Sequence, residues 1–381
     1  MRCTMSILLT ALVHIGSAAE YYVDPTGDDS NDGCAATPGA LGVGPKKTLQ
    51  GAMGITGLTS GDIVHAAAGD YDLGEAWASS SSNRVVVPAG VGLVATNAIL
   101  TRIIGKKSEQ NENGLGSDAV RCVYLNSGSY VRKFTITGGR TPTGTSVNGG
   151  GVLSSGGAAI DCLFTDNGCG NRGTAVNGGT YIRCTFRGNT LSGTKQAGLF
   201  AAYWTSYLIG CVFPKDGGDY AYGNGTILNC WLAGGSTWGT ELSPVYNSYI
   251  SADNGYKNYF NCVFGNTEAA IKTNSLYDKP TCVFAKDVST LHIDAEYRPL
   301  MTEAVLLDKG SNANYEAAFP AAWLQFKDQD YAGGTRCVGE IDIGPGEFNW
   351  RNSISSSNGL DIVFADLGEG VVKVSVSRNC A

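Results

Sequence analysis

The sequence predicts an all-β solenoid of the parallel β-helix type, and three observations carry that prediction. First, a short phrase, Cys-x-Phe or a close variant, recurs at Cys162-Leu163-Phe164, Cys184-Thr185-Phe186, Cys211-Val212-Phe213, Cys230-Trp231-Leu232, Cys262-Val263-Phe264 and Cys282-Val283-Phe284, with Ser248-Tyr249-Ile250 filling the one gap. Second, successive phrases are 22, 27, 19, 18, 14 and 20 residues apart, the variable step of a coil whose loops differ while its core stays in register. Third, many of the turns between phrases carry Gly, Asn or Asp, which tolerate the left-handed backbone of a tight corner. Side chains on a strand alternate, so the first and third residues of each phrase point inward and the middle one outward. Stacked about 4.8 Å apart, such strands would line up Cys and Phe in columns. A leucine-rich repeat would show a Leu framework, which is missing, and a propeller blade needs about twice this spacing.

These repeats resemble the secreted bacterial right-handed parallel β-helix proteins of the pectate-lyase-like superfamily. The resemblance implies a right-handed coil of three faces, an N-terminal cap and an extracellular setting. Composition agrees: among 381 residues only 16% are charged and 53 are glycine, which suits a turn-rich β architecture. The formal charge of −7 argues against nucleic acid as a partner, because phosphate binding needs a basic footprint.

In chain order, residues 1–19 form the expected signal peptide. Arg2 gives a positive start, Ile7 to Ile15 is mostly apolar and too short to span a bilayer, and Ser17-Ala18-Ala19 offers small residues for cleavage. No second long apolar run follows, so the expectation is a secreted or cell-surface protein with no transmembrane segment in the mature chain, and a monomer. Removing Cys3 leaves eleven cysteines. Six belong to the repeat as small buried hydrophobes, and a bridge, if any, is expected among Cys34, Cys122, Cys169, Cys337 and Cys380.

The solenoid is expected over residues 20–350. Its entry, Tyr21 to Asp70, resembles the strand, acidic loop and short helix that close the open end in those secreted proteins. Leu49, Ala52, Met53 and Thr56 share one side of a helical wheel, although Gly51 and Gly54 weaken the helix. Within the acidic loop, Asp28-x-Ser30-x-Asp32-Gly33 matches the first half of a calcium loop, but Gly39 stands where a bidentate Glu would complete it. An Asx-rich turn is the competing reading, so the cofactor expectation is none, or Ca²⁺ on Asp28, Ser30 and Asp32. The strand Tyr130 to Gly139 places Phe134 and Ile136 on one face and Lys133 and Thr135 on the other, which fits the stack.

The outward positions of the phrases are Leu163, Thr185, Val212, Trp231, Tyr249, Val263 and Val283, an apolar stripe where polar residues would be ordinary. One reading is a glycan-stacking platform on Trp231 and Tyr249, walled by Trp204 and Trp238; the other is a segment of the chain lying over the stripe. The leading functional expectation is therefore an extracellular protein that binds polysaccharide or cell-surface glycan. The alternative is a polysaccharide lyase or glycoside hydrolase, for which Arg187 and Lys195, or the pair Asp216 and Asp219, are the candidate catalytic groups.

The run Leu306-Leu307-Asp308-Lys309-Gly310, then Asp328-Gln329-Asp330, Arg336 and Asp342-Ile343-Gly344-Pro345-Gly346-Glu347 resembles the closing motif of bacterial surface β-helix proteins. It implies a segment that finishes the solenoid, with a buried tie from Arg336 to Asp342 or Glu347. Residues 351–381 are expected as a β-hairpin appendage turning at Gly368-Glu369-Gly370.

Overall fold

The computed structural model describes residues 18–144, 147–189, 200–215, 220–222, 225–238, 243–253, 257–271, 275–293, 305–331, 336, 341–346, 360–366 and 372–378, with single positions between 295 and 299. The chain is a right-handed parallel β-helix with three faces. The first face is an eleven-stranded sheet that starts at Glu20–Val23 and Ile63–Ala66, passes through Tyr130–Arg132 and Thr180–Ile182, and ends at Leu276–Tyr277. The second face carries Thr101–Ile104, Thr135–Thr137, Leu163–Thr165, Thr185–Arg187 and Val212–Phe213, and the third carries Ser81–Val87, Val120–Leu125, Val152–Ser154 and Phe200–Tyr203. The long strand Trp231–Trp238 belongs to both: Trp231 pairs with Val212 on the second face, and Trp238 pairs with Tyr222 on the third.

The register is the one that the repeat dictates. Leu163, Thr185, Val212, Trp231, Tyr249, Val263 and Val283 pair in succession. Inside, Phe164, Phe186 and Phe213 stack with centroids 4.9 and 4.6 Å apart, and Phe264 stacks on Phe284 at 5.1 Å. Five column thiols, Cys162, Cys184, Cys211, Cys230 and Cys262, also donate to a carbonyl two residues back, as in Cys184 to Ile182 at 3.5 Å, and to one in the preceding coil, as in Cys184 to Ala159 at 3.3 Å; Cys282 donates to the preceding coil at Tyr259 O, 3.8 Å away. Ser248 makes the bond two residues back in the one coil without a Cys: its hydroxyl donates to Tyr246 at 2.7 Å. Asn167 and Asn189 form a second internal column, the Asn167 Nδ2 donating a hydrogen bond to Asn189 Oδ1 at 2.9 Å. Cys34, Cys122 and Cys169 are free thiols; Cys337 and Cys380 lie outside the described residues.

The open end is closed as expected. Helix Leu49–Met53 buries Leu49, Ala52 and Met53 over the first coil, capped by the Thr48 hydroxyl. Gly51 has a steric reason to be there, since a Cβ would stand 2.3 Å from the Asp29 carboxylate. That carboxylate accepts from the Lys47 and Thr48 amides and so anchors the acidic loop to the helix start.

The second and first faces are both covered from outside. Leu291, Leu306 and Ile343 pack on Val212, Trp231, Tyr249 and Val263. Helix Asn312–Ala318 and the turn Ala321–Phe326 lay Tyr315, Phe319, Trp323 and Phe326 on Ile160, Ile182, Ile209 and Leu228. Asn229 and Asn247 receive this segment, donating to Asp342 O at 3.1 Å and accepting from Ser311 N at 3.0 Å. The closing segment thus folds back along the coil. Arg336 ties it through main-chain carbonyls of Pro345, Gly344 and Asp342, while the Asp342 carboxylate accepts the Asp308 amide; Glu347 lies outside the described residues. Strands Leu360–Asp366 and Val372–Arg378 form an antiparallel hairpin of their own.

Candidate functional site

At the corner from the first face to the second, the coil turns on one residue in the left-handed region, the residue just before the column Cys. Downstream these residues are Gly210, Asn229, Asn247 and Asn261, types that adopt this backbone cheaply. Upstream the same corner holds Lys133 (φ 61°), Asp161 (φ 53°) and Arg183 (φ 53°). A left-handed Lys or Arg costs about 1–2 kcal/mol, so the Lys133 and Arg183 corners place charge where glycine or asparagine would sit more comfortably, while Asp161 between them is a type that tolerates this backbone.

Lys133 and Asp161 border an open cleft of about 450 Å³, lined also by Thr96, Asn97, Ile99, Arg132, Gln329 and Tyr331. One wall is the loop 96–100, pinned when the Thr135 hydroxyl donates to Ala98 O at 2.7 Å and turned by the Asn97 carboxamide, which accepts the Ile99 amide. The other wall is the closing segment. Tyr331 meets the Thr185 hydroxyl at 2.5 Å, and burial pushes the Tyr331 phenol up, so it stays a neutral hydrogen-bonding group.

The charge balance is positive. Asp161 accepts from both Arg132 at 2.9 Å and Arg183 at 2.6 Å, so a single carboxylate serves two guanidinium groups. Arg132 also lies over the Phe326 ring at 5.3 Å. Among the described residues, Lys133 has no ion-pair partner and is half-buried at the cleft wall. Such a surface can hold an anion with Arg132 and Lys133 and offer Asn97, Gln329 and Tyr331 to hydroxyl groups.

The residues singled out in the sequence fare unevenly. Trp231 and Tyr249 stack on each other at 4.4 Å, but each is only 1% exposed. Tyr297 and Ile343 lie against them. The expectation that these two rings bind a ligand is corrected: the stripe is the seat of the closing segment, the other reading of the same apolar pattern. Trp204 is 59% exposed. Trp238 ends its strand on the third face, its side chain outside the description. Arg187 is exposed at a strand end and away from the cleft lining, and Lys195, Asp216 and Asp219 lie outside the described residues.

In the acidic loop, the Asp28 carboxylate accepts Ser30 N and the Asp32 carboxylate accepts Cys34 N and Gly44 N. These backbone bonds hold both carboxyls below their usual range, an Asx-turn arrangement. Among the described residues no group of three or more His, Cys, Asp or Glu side chains is placed to hold a metal ion.

The cleft residues Arg132, Lys133, Asp161 and Tyr331 were not candidates on sequence grounds. The signal available for three corners was position: Lys133, Asp161 and Arg183 each stand immediately ahead of an inward residue of the repeat, where Gly and Asn stand in later coils.

The molecule is thus a parallel β-helix whose second face is covered over Val212 to Val263, with a basic cleft at the upstream edge of that cover. No family model matches the sequence, and no curated protein matches it. Among solved structures the chain is similar to a rhamnogalacturonan lyase, at 14% identity over 72% of this chain with a TM-score of 0.35. The match spans 64% of that protein's chain, less than two thirds of its length.

Proposed function

We propose that this protein is a secreted or cell-surface β-helix that binds an acidic polysaccharide, with Arg132 and Lys133 receiving the carboxylate of a sugar acid in the cleft. The observation that carries the reading is a positive cleft on a chain of net charge −7: such a local reversal of sign attracts anions and rejects cations. Asn97, Gln329 and Tyr331 add the hydrogen-bonding groups that a sugar ring requires, and the cleft is open at its mouth, as a long polymer needs.

Calorimetric titration with uronate-containing and neutral oligosaccharides tests the proposal. Acidic oligosaccharides should bind, neutral ones should not, and added salt should weaken the binding. Lys133→Asn, which puts at this corner the residue found at Asn229, Asn247 and Asn261, should keep the fold and reduce affinity about tenfold. Equal binding of neutral and acidic sugars, or an unchanged affinity in the variant, would overturn it. The same mixtures, read for unsaturated and reducing ends, decide between binding alone and a lyase in which Lys133 acts as base on bound uronate.

A further inference from the structure

We infer that Trp204, with Arg172 on the neighbouring Tyr203, is a second glycan contact at a different corner of the solenoid; this rests on the proposed glycan reading and extends it. The corner from the third face into the first is turned by glycine at positive φ in five coils: Gly61, Gly90, Gly128, Gly156 and Gly178. Each stands two residues ahead of a first-face strand. In the next coil the positive φ falls on Trp204, at 50° and three residues ahead of Tyr207–Ile209. The coils remain in contact there, since the Gly178 amide donates to Tyr203 O at 3.0 Å.

A tryptophan is a poor choice for this backbone, and its ring gains little from burial, being 59% exposed. Its orientation is nevertheless set. The ring lies parallel to buried Tyr203, with centroids 5.8 Å apart and planes within 10°. The Arg172 guanidinium lies over the Tyr203 ring at 5.0 Å and donates to its hydroxyl. The preceding coil turns the same corner on Gly178-Gly179, both at positive φ. A strained, oriented and exposed aromatic, with an exposed cation on the ring it stacks against, matches the CH face and carboxylate of a sugar-acid ring.

The test uses the full-length protein, with thermal melts beside titrations of the same acidic oligosaccharides. Trp204→Gly restores the residue type of the other corners, so its melting temperature should equal or exceed that of the wild type. Its affinity should fall roughly 3- to 10-fold, and Trp204→Phe should retain most of the binding. Trp204→Gly that binds as tightly as wild type overturns this inference and leaves the cleft reading standing, as does a melting temperature lowered by several degrees, which would make the ring structural. A wild-type protein that binds none of the acidic sugars while folded sinks the cleft proposal and this inference together.

Discussion

A thiol suits the interior column because it is small, apolar and still a weak donor. At each corner the first-face strand ends with a carbonyl turned toward the core, and Cys162, Cys184, Cys211, Cys230 and Cys262 each aim Sγ at one at 3.2–3.5 Å. The hydroxyl of Ser248 fills the same role, which explains why the repeat tolerates that exchange. Burial raises the thiol pKa: Cys122 is pushed up to about 12 and Cys169 to about 11, and the column thiols Cys184 and Cys262 move in the same direction for the same reason. Thiolate is the reactive form, so these four groups should be inert in the folded protein, and for the rest of the column burial itself shuts out reagents, Cys162 being 3% exposed and Cys211 and Cys230 0%. Alkylation at pH 8, mapped by peptide mass spectrometry, should label exposed Cys34 while Cys162, Cys184, Cys211, Cys230 and Cys262 stay unmodified until denaturant is added. Labelling of the column in native buffer would mean that the coils open far more readily than this packing allows.

At the level of single elements, the turn into the second strand depends on one carboxylate. Asp62 accepts the Thr59 amide at 2.7 Å and the Thr59 hydroxyl at 3.1 Å, and so fixes the start of Ile63–Ala66, on which Glu20–Val23 pairs at the exposed end of the first face; the Ala19 amide adds a third bond in the chain before cleavage. The Thr59 amide is the largest cause holding its carboxyl below the ordinary range. A depressed folded pKa contributes stability that is present above the unfolded value of about 3.9 and is lost as pH falls through the folded value. Asp62→Ala should therefore lower the melting temperature at pH 7, and the gap from wild type should close below about pH 3.9. A gap that persists undiminished in strong acid would assign the effect to something other than the ionised carboxylate. The strands themselves were legible in the sequence because period-two alternation needs only residue order, so Cys162 and Phe164 announced both their face and their partners. The corner charges were not legible. Nothing in the letters Lys133, Asp161 and Arg183 reveals a left-handed φ or that one carboxylate is shared by two guanidinium groups, and Gln329 and Tyr331 reach the cleft only because the chain returns more than 140 residues later.

Across the whole molecule, the closing segment decides which surfaces remain for ligands. An apolar stripe with Trp231 and Tyr249 at its centre serves equally well as a sugar platform or as a seat for the chain's own return, and sequence cannot rank the two because the cover is long-range. With that segment in place, the second face is available only upstream of Thr185, where Tyr331 marks the edge of the cover and the cleft begins. Arg336 is the pin: its guanidinium donates to three main-chain carbonyls around the last turn, Pro345 at 2.6 Å, Gly344 at 2.9 Å and Asp342 at 3.3 Å. Arg336→Leu leaves those carbonyls facing an apolar chain, a loss of about 2–3 kcal/mol. Solenoid stability is close to a sum of local terms, so this loss should loosen the cover before the coils unravel. Denaturant titration of the variant should then show two transitions. The early one would be reported by binding of a hydrophobic dye to the uncovered Trp231 stripe and by weakened sugar binding at the Tyr331 edge; the later one would be the loss of β-sheet circular dichroism. A single transition at the wild-type midpoint would show that the cover is held by its apolar contacts on Trp231, Tyr249 and Ile209, with the guanidinium adding nothing measurable.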